Sequence, residues 1–319
     1  MSDFDRAALR SSLAALASQG VYVGTSSWKY SGWCDMLYDR ARYVYRGRFA
    51  ESRFEKLCLV EYAEVFKTVS LDAAYYKFPD HAYLAGLTDQ VPDDFLFALK
   101  VTDEITLKRF TNLPRFGPRA GQANPNFLNA DLFSSAFLGP CDPFRRNIGL
   151  LMFEFSHFYP SDYARGRDFL ADLDLFLGRL PAGWPYGVEI RNPGFLRPEY
   201  FALLARHQVA HVYNNWQGMP TVGEQAAISD SQTVPGLLAA RFLLKPGRKY
   251  EEAVRLFSPY LGVKEVNPEA RAAGAKLIRR AVASAGRTRA LLYVNNRLEG
   301  NSLQTIAAML EQAGGSEPS

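Results

Sequence analysis

The sequence predicts a single (β/α)8 barrel of the TIM type, and three observations carry that prediction. Eight short apolar runs begin near Val21, Val65, Phe95, Ile148, Tyr186, Ala210, Ala239 and Ala290. Their spacing averages about 38 residues, close to one βα unit per step. Nearly all finish on polar or charged residues: Thr25-Ser26, Asp72, Lys100, Glu154, Glu189 through Asn192, Asn214-Asn215, Lys245 and Asn295-Asn296. Apolar strands with polar C-terminal ends fit a parallel barrel whose interior is packed and whose mouth faces a ligand.

The elements follow in order. Residues 1–20 read as an N-terminal helix, with Leu9, Leu13 and Leu16 as its apolar side and none of the basic-then-apolar plan of a signal peptide. Residues 21–314 are assigned to the barrel and residues 315–319 to a frayed tail. A short helix is expected over Asp80–Leu87, and a longer one over Ser161–Leu180, capped by Ser161 and stopped by Pro181. Pro198 opens a helix bearing Phe201, Leu203 and Leu204. Asn267-Pro268-Glu269 starts another that runs to Gly286, and the last spans Asn301-Ser302 to Gly314-Gly315. Two connections exceed what a βα turn requires: residues 28–47, aromatic and basic, and residues 107–147, rich in Pro, Gly and Asn. Loops of that length are usually functional or disordered, and both would rim the barrel mouth.

Composition narrows the class. A chain of 319 residues suits one large barrel and is short for two well-cored domains. Its 48% hydrophobic and 22% charged content is ordinary for a soluble globular protein. Three cysteines without a C-x-x-C pair argue against a disulfide framework or a zinc clip and fit the cytoplasm. No apolar run approaches the roughly 18 residues of a membrane span. A net charge of +4 does not by itself imply nucleic acid.

Strand parity then selects the side chains that reach the mouth, because alternate residues face opposite sides. One face carries Leu96, Ala98 and Lys100 in the third run, and Leu150, Met152 and Glu154 in the fourth. The fifth run sets Glu189 and Arg191 against apolar Val188 and Ile190. The seventh aligns Ala239, Arg241, Leu243 and Lys245, the eighth Leu291, Tyr293 and Asn295, and the second Thr68, Ser70 and Asp72. Glu154 and Glu189 should stand on neighbouring strands about 5 Å apart, with Arg191, Lys100 and Arg241 near enough to neutralise them. Burying such charges is costly unless they pair. A salt-bridge network that merely closes the barrel top is the competing reading.

Taken in order, several stretches resemble the YecE-like family, the proteins carrying domain of unknown function 72. Val23-Gly24-Thr25-Ser26-Ser27-Trp28-Lys29-Tyr30 with Trp33 resembles the family's opening motif, with Ser27 in place of a glycine. Thr68 through Leu71 and Tyr75 through Pro79 resemble its second strand and the segment after it. Phe95 through Lys100, Glu189 through Asn192, and Val294-Asn295-Asn296 with Gly300 resemble three further segments, so that the likeness spans about residues 21–310. The resemblance implies a TIM-type barrel of unsettled activity. Departures from the pattern fall at Glu154-Phe155, where the family has Gln-Pro, and at Leu243, Asn214 and Leu107, where it has His, Asp and His.

The residues favour some chemistries over others. Glu189 and Glu154 are the candidate acid/base pair of a hydrolase-like or lyase-like enzyme, one carboxylate being paired and the other facing apolar surface. Glycosidase chemistry is disfavoured because the seventh strand offers Arg241 where the usual barrel glycosidase has a carboxylate. Lys100, Arg191, Arg241 and Lys245 favour an anionic ligand, with Asn295, Asn214, Asp72, Trp28, Tyr76 and Tyr250 completing the expected binding set. Neither a metal nor a cofactor is expected: the four histidines are scattered, and nearby cations compete with a metal for the carboxylates. Ser26, Ser27 and Cys34 lack a spaced histidine partner, and no G-x-S-x-G elbow occurs. The alternative is a non-catalytic module that binds nucleic acid or a metabolite. It would use Arg40, Arg42, Arg46, Arg48 and Arg53, interleaved with Tyr43, Tyr45 and Phe49.

Overall fold

Eight parallel strands close on themselves in sequence order: β1 (Val21–Thr25), β2 (Thr68–Leu71), β3 (Leu96–Lys100), β4 (Ile148–Phe155), β5 (Tyr186–Ile190), β6 (Ala210–Asn214), β7 (Leu237–Phe242) and β8 (Arg289–Val294). The structure, a computed structural model, describes residues 4–315. The expected tail therefore falls almost wholly outside the described residues. The ring is completed by β1 pairing with β8 over five residues and with β2 at Thr25 and Val69. Gly24 makes that last approach possible, since a Cβ there would sit 2.3 Å from the Thr68 carbonyl oxygen.

The barrel interior is a packed layer of Leu96, Ala98, Leu150, Met152, Val212, Ala239, Leu291 and Tyr293. Those are the faces that alternation selects, and the Tyr293 hydroxyl, 2.9 Å from Thr68 Oγ1, ties β8 to β2 through the centre. The opposite strand faces join the helix layer in one large apolar core containing Phe97, Phe153, Val188, Phe242 and Leu292.

Around the barrel lie α1 (Arg6–Ala17), α2 (Glu51–Val65), α3 (His81–Thr88), α4 (Gly166–Leu177), α5 (Pro198–Arg206), α6 (Val222–Ala227), α7 (Tyr250–Phe257), α8 (Pro268–Ala283) and α9 (Ser302–Gly314). Asp80, Asn267 and Asn301 accept hydrogen bonds from the first turns of α3, α8 and α9. These caps supply partners for otherwise orphaned amides. No helix among the described residues is long and apolar enough to cross a membrane.

Four boundaries differ from expectation. The second run does not start at Val65, which ends α2; the strand opens three residues later, at Thr68. Val65 and Phe66 are apolar because they pack into the core. Ser161 does not cap a helix, because Tyr159 N is bonded to Asp162 in a turn and α4 starts only at Gly166. The connection after β3 is helical from Ala130, where Asn129 caps Leu132 N at 3.0 Å and Phe133 and Phe137 are buried. Finally, β7 ends at Phe242, so its alternation does not extend to Leu243 or Lys245.

Candidate active site

Inward positions at the C-terminal ends of the strands carry a cluster of six charges. Lys100 closes β3, Glu154 stands near the end of β4, and Glu189 and Arg241 lie on β5 and β7. Arg191 and Asp72 directly follow β5 and β2. Glu154 and Glu189 are register partners across β4 and β5, and Arg241 is the partner of Asn214 across β7 and β6.

Glu154 is the hub. Its Oε2 lies 2.8 Å from Lys100 Nζ, 2.7 Å from Arg191 Nη2 and 2.8 Å from Arg241 Nη1. Glu189 is fully buried and accepts on both oxygens: Arg241 Nη1 donates to Oε2 at 2.7 Å and Arg191 Nε to Oε1 at 3.1 Å. Asp72 is held more loosely. Its Oδ1 stands 3.4 Å from Lys100 Nζ and 3.7 Å from Arg241 Nη2 and makes no hydrogen bond, although about a third of the side chain is exposed. Two buried carboxylates against three cations leave one net positive charge, which Asp72 balances.

Ionisation follows from this geometry. Burial alone would raise the Glu154 carboxyl, but Arg191, Lys100 and Arg241 outweigh it and hold it far below the usual carboxylate range. Burial works to lower Lys100, yet Asp72 and Glu154 carry its ammonium above its ordinary value. Arg241 is likewise raised by Glu189 and Glu154 against the pull of burial. Glu154, Lys100 and Arg241 therefore hold one another in their charged forms at neutral pH.

Aromatic side chains from the loops wall this floor. Lys100 Nζ lies 4.2 Å over the Tyr75 ring, and the Arg191 guanidinium 3.9 Å over Trp216. Trp216 meets Tyr250 at 6.2 Å, Arg297 stacks on Tyr250 at 4.4 Å, and Tyr260 packs edge-on against Tyr30 at 5.3 Å. On the other side Arg115 lies over Tyr76 at 4.9 Å and pairs with Asp103.

Of the residues expected at the mouth, Lys100, Glu154, Glu189, Arg191, Arg241 and Asp72 come together, and Tyr250 and Tyr76 join the rim. The others are placed differently. Trp28 is enclosed in the core. Lys245, beyond the strand, is half exposed and bonds Glu265 at 2.5 Å. Asn214 is engaged by the backbone: it donates to Ile190 O at 3.1 Å and accepts from Trp216 N at 3.2 Å, which fixes the start of the loop that carries Trp216. Asn295 accepts from Arg297 N at 2.9 Å and so presents Arg297. Tyr75, Trp216, Tyr260, Arg115 and Arg297 were not singled out from the sequence. Each lies beyond the end of a strand, where alternation no longer applies.

The arginine-rich segment splits in two. Arg42 pairs with buried Glu61 at 3.3 Å, and Arg40 covers Phe49. Arg46 and Arg48 project from a small hairpin of Val44–Tyr45 and Arg48–Phe49, turned through Arg46 and Gly47, both at positive φ. Among the described residues no three or more His, Cys, Asp or Glu side chains are grouped to hold a metal ion. The floor carboxylates already face cations. A groove of about 1230 Å³ opens elsewhere, between α1, α9 and the loops around Met36 and Val263, and holds none of the six charges.

Comparison with known proteins agrees with this architecture. Two solved structures of a DUF72 family protein from Enterococcus faecalis are similar at TM-scores of 0.62 and 0.60, with 17% and 16% identity. They cover 93% of this chain and 97% and 98% of theirs. A DUF72 family protein from Thermotoga maritima is similar at a TM-score of 0.54 and 16% identity, covering 92% of this chain and 97% of its own. At such identity the likeness concerns the fold alone. No curated protein matches the chain at a significant level. The family model described as "Protein of unknown function DUF72" matches residues 22–318, and the chain belongs to that family.

Proposed function

We propose that the barrel mouth is the active site of an enzyme that takes a small polar ligand by an anionic group, with Asp72 as the carboxylate available for proton transfer. The observation that carries this reading is the unequal grip on the three carboxylates. Glu154 and Glu189 are buried counter-ions whose contacts keep Lys100, Arg191 and Arg241 in place, so the acid/base role expected of them does not suit their setting. Asp72 alone is partly exposed and lacks a hydrogen bond on Oδ1, above a floor that is otherwise one positive charge in excess. A ligand carboxylate or phosphate would compete with the loosely held Asp72 for that charge, and a buried Arg241 Nε without an acceptor points the same way.

The test is calorimetric titration with inorganic phosphate. Asp72→Asn removes the competing negative charge and is expected to tighten phosphate binding by about tenfold, since a charge a few ångströms away is worth a kcal/mol or more at a partly screened site. Lys100→Met should abolish it. On any substrate that is found, Asp72→Asn should cost about 10²-fold or more in turnover, the scale of a lost general acid or base. Phosphate affinity unchanged in Asp72→Asn would sink the reading.

The exposed hairpin favours a second reading, a nucleic-acid-binding module. There, Arg46→Gln with Arg48→Gln should reduce the slope of log K against log salt for a single-stranded oligonucleotide by about 1.4, at roughly 0.7 per lost phosphate contact. An unchanged slope would dismiss it.

A further inference from the structure

Beyond the balanced floor, one more cation faces the mouth, and no carboxylate pairs with it. Among the described residues no carboxylate forms an ion pair with Arg297, although it is only partly exposed and its Nε is buried with no hydrogen-bond partner. Two tyrosines hold it, and a third backs them. Its guanidinium lies 4.4 Å over the Tyr250 ring and beside the Tyr260 hydroxyl, and Tyr260 leans on Tyr30. Burial pushes the Tyr30 hydroxyl up to about 12, so it stays neutral and does not serve as the missing counter-charge. Arg248, another arginine with unbonded buried nitrogens, is different: Glu265 and Glu252 neutralise it.

Arg297 and the charged floor share one wall. Arg191 stacks on Trp216, Trp216 meets Tyr250, and Tyr250 carries Arg297, so continuous ring contacts join the two cationic points. Tyr30 feels the charges of both Arg297 and Asp72. A buried guanidinium N–H without an acceptor is costly unless a ligand completes it.

We infer that the mouth takes a small molecule with two negative groups, one seated on Lys100, Arg191 and Arg241 and the other on Arg297, its middle lying along the Trp216–Tyr250 wall. This inference rests on the reading of the mouth given above and names its ligand class. The tyrosine cradle then acts as a ruler, because it fixes the second cation at a set distance from the first and selects among dianions by length.

Titration calorimetry with inorganic phosphate and with phosphonocarboxylates of increasing length, from one to about four methylene groups between the charged ends, tests both statements separately. The wild type should bind the best-fitting phosphonocarboxylate about tenfold more tightly than phosphate, as a second charge-assisted contact warrants. Arg297→Met should erase that advantage and leave phosphate affinity within about twofold, whereas Arg297→Lys, which keeps the charge, should retain most of it. Equal affinities for all lengths, or an Arg297→Met variant that still prefers the dianion, would overturn the inference and leave the floor's role intact. A protein that binds no phosphate, even as Asp72→Asn, overturns both.

Discussion

Replacing Arg241 by methionine is expected to destabilise the barrel by about 3–5 kcal/mol, the cost of breaking a buried pair and leaving its partner charge uncompensated. Arg241 is 3% exposed and donates from β7 to both Glu154 and Glu189 on β4 and β5. Without it, two carboxylates on adjacent strands share Arg191 and Lys100. Against a typical domain stability of about 5–15 kcal/mol this loss is large. Urea unfolding monitored by circular dichroism measures it. Removing the matching charge as well, in Arg241→Met with Glu189→Gln, restores the balance of the cluster and should recover about 1–3 kcal/mol of the loss. Two losses that simply add would show that the pair is not coupled as the distances imply.

The double variant also separates two roles that the sequence left entangled. Alternation brought Lys100, Glu154 and Arg241 to the inner face because a strand's side-chain period is rigid wherever one face is buried. The eight-strand order was legible because the apolar runs recur about one βα unit apart and finish on polar residues. Pairing among the charges was not legible. Whether Arg191 turns toward Glu154 or toward solvent depends on Trp216, which arrives from the loop after β6, and no periodicity links the two positions. Lys245 shows the opposite error. Parity carried past Phe242, where the strand had already ended, put it in the mouth, while the loop takes it to Glu265. Loops obey local turn chemistry, such as the Asn295 contact that sets Arg297, and that chemistry becomes interpretable only once the strand ends are known.

Asn214 and Gln225 connect that wall to a buried histidine, and the histidine should make the fold acid-sensitive well above the carboxylate range. His211 sits on the outward face of β6, 2% exposed, with Nδ1 3.3 Å from the Tyr200 hydroxyl and Nε2 3.3 Å from Gln225 Oε1. Burial, opposed only in part by the Gln225 contact, lowers its pKa from 6.5 to about 4. A depressed histidine is neutral in the fold while the unfolded chain takes up a proton, so its contribution to stability is complete above about pH 6.5 and is lost as pH falls toward 4. Between pH 7.5 and pH 5 the loss should be about 2 kcal/mol, at 1.36 kcal/mol per unit. Glu154, also depressed, gives the same sign in a lower window: its contribution holds above the unfolded carboxyl value of about 4.3 and fades only below it. Urea unfolding of the wild type and of His211→Gln at the two pH values isolates the histidine, and the variant should lack the 2 kcal/mol difference. Parallel losses in both proteins would place the acid sensitivity elsewhere. Gln225 Oε1 also accepts from Asn214 N at 3.3 Å, and Asn214 Oδ1 holds Trp216 N, so this side of the histidine is fixed from the mouth. Because Nε2 already donates to an amide oxygen in the neutral ring, the added proton goes to Nδ1 and ends its acceptance from the Tyr200 hydroxyl, so acid should first disturb the packing of α5 on β6.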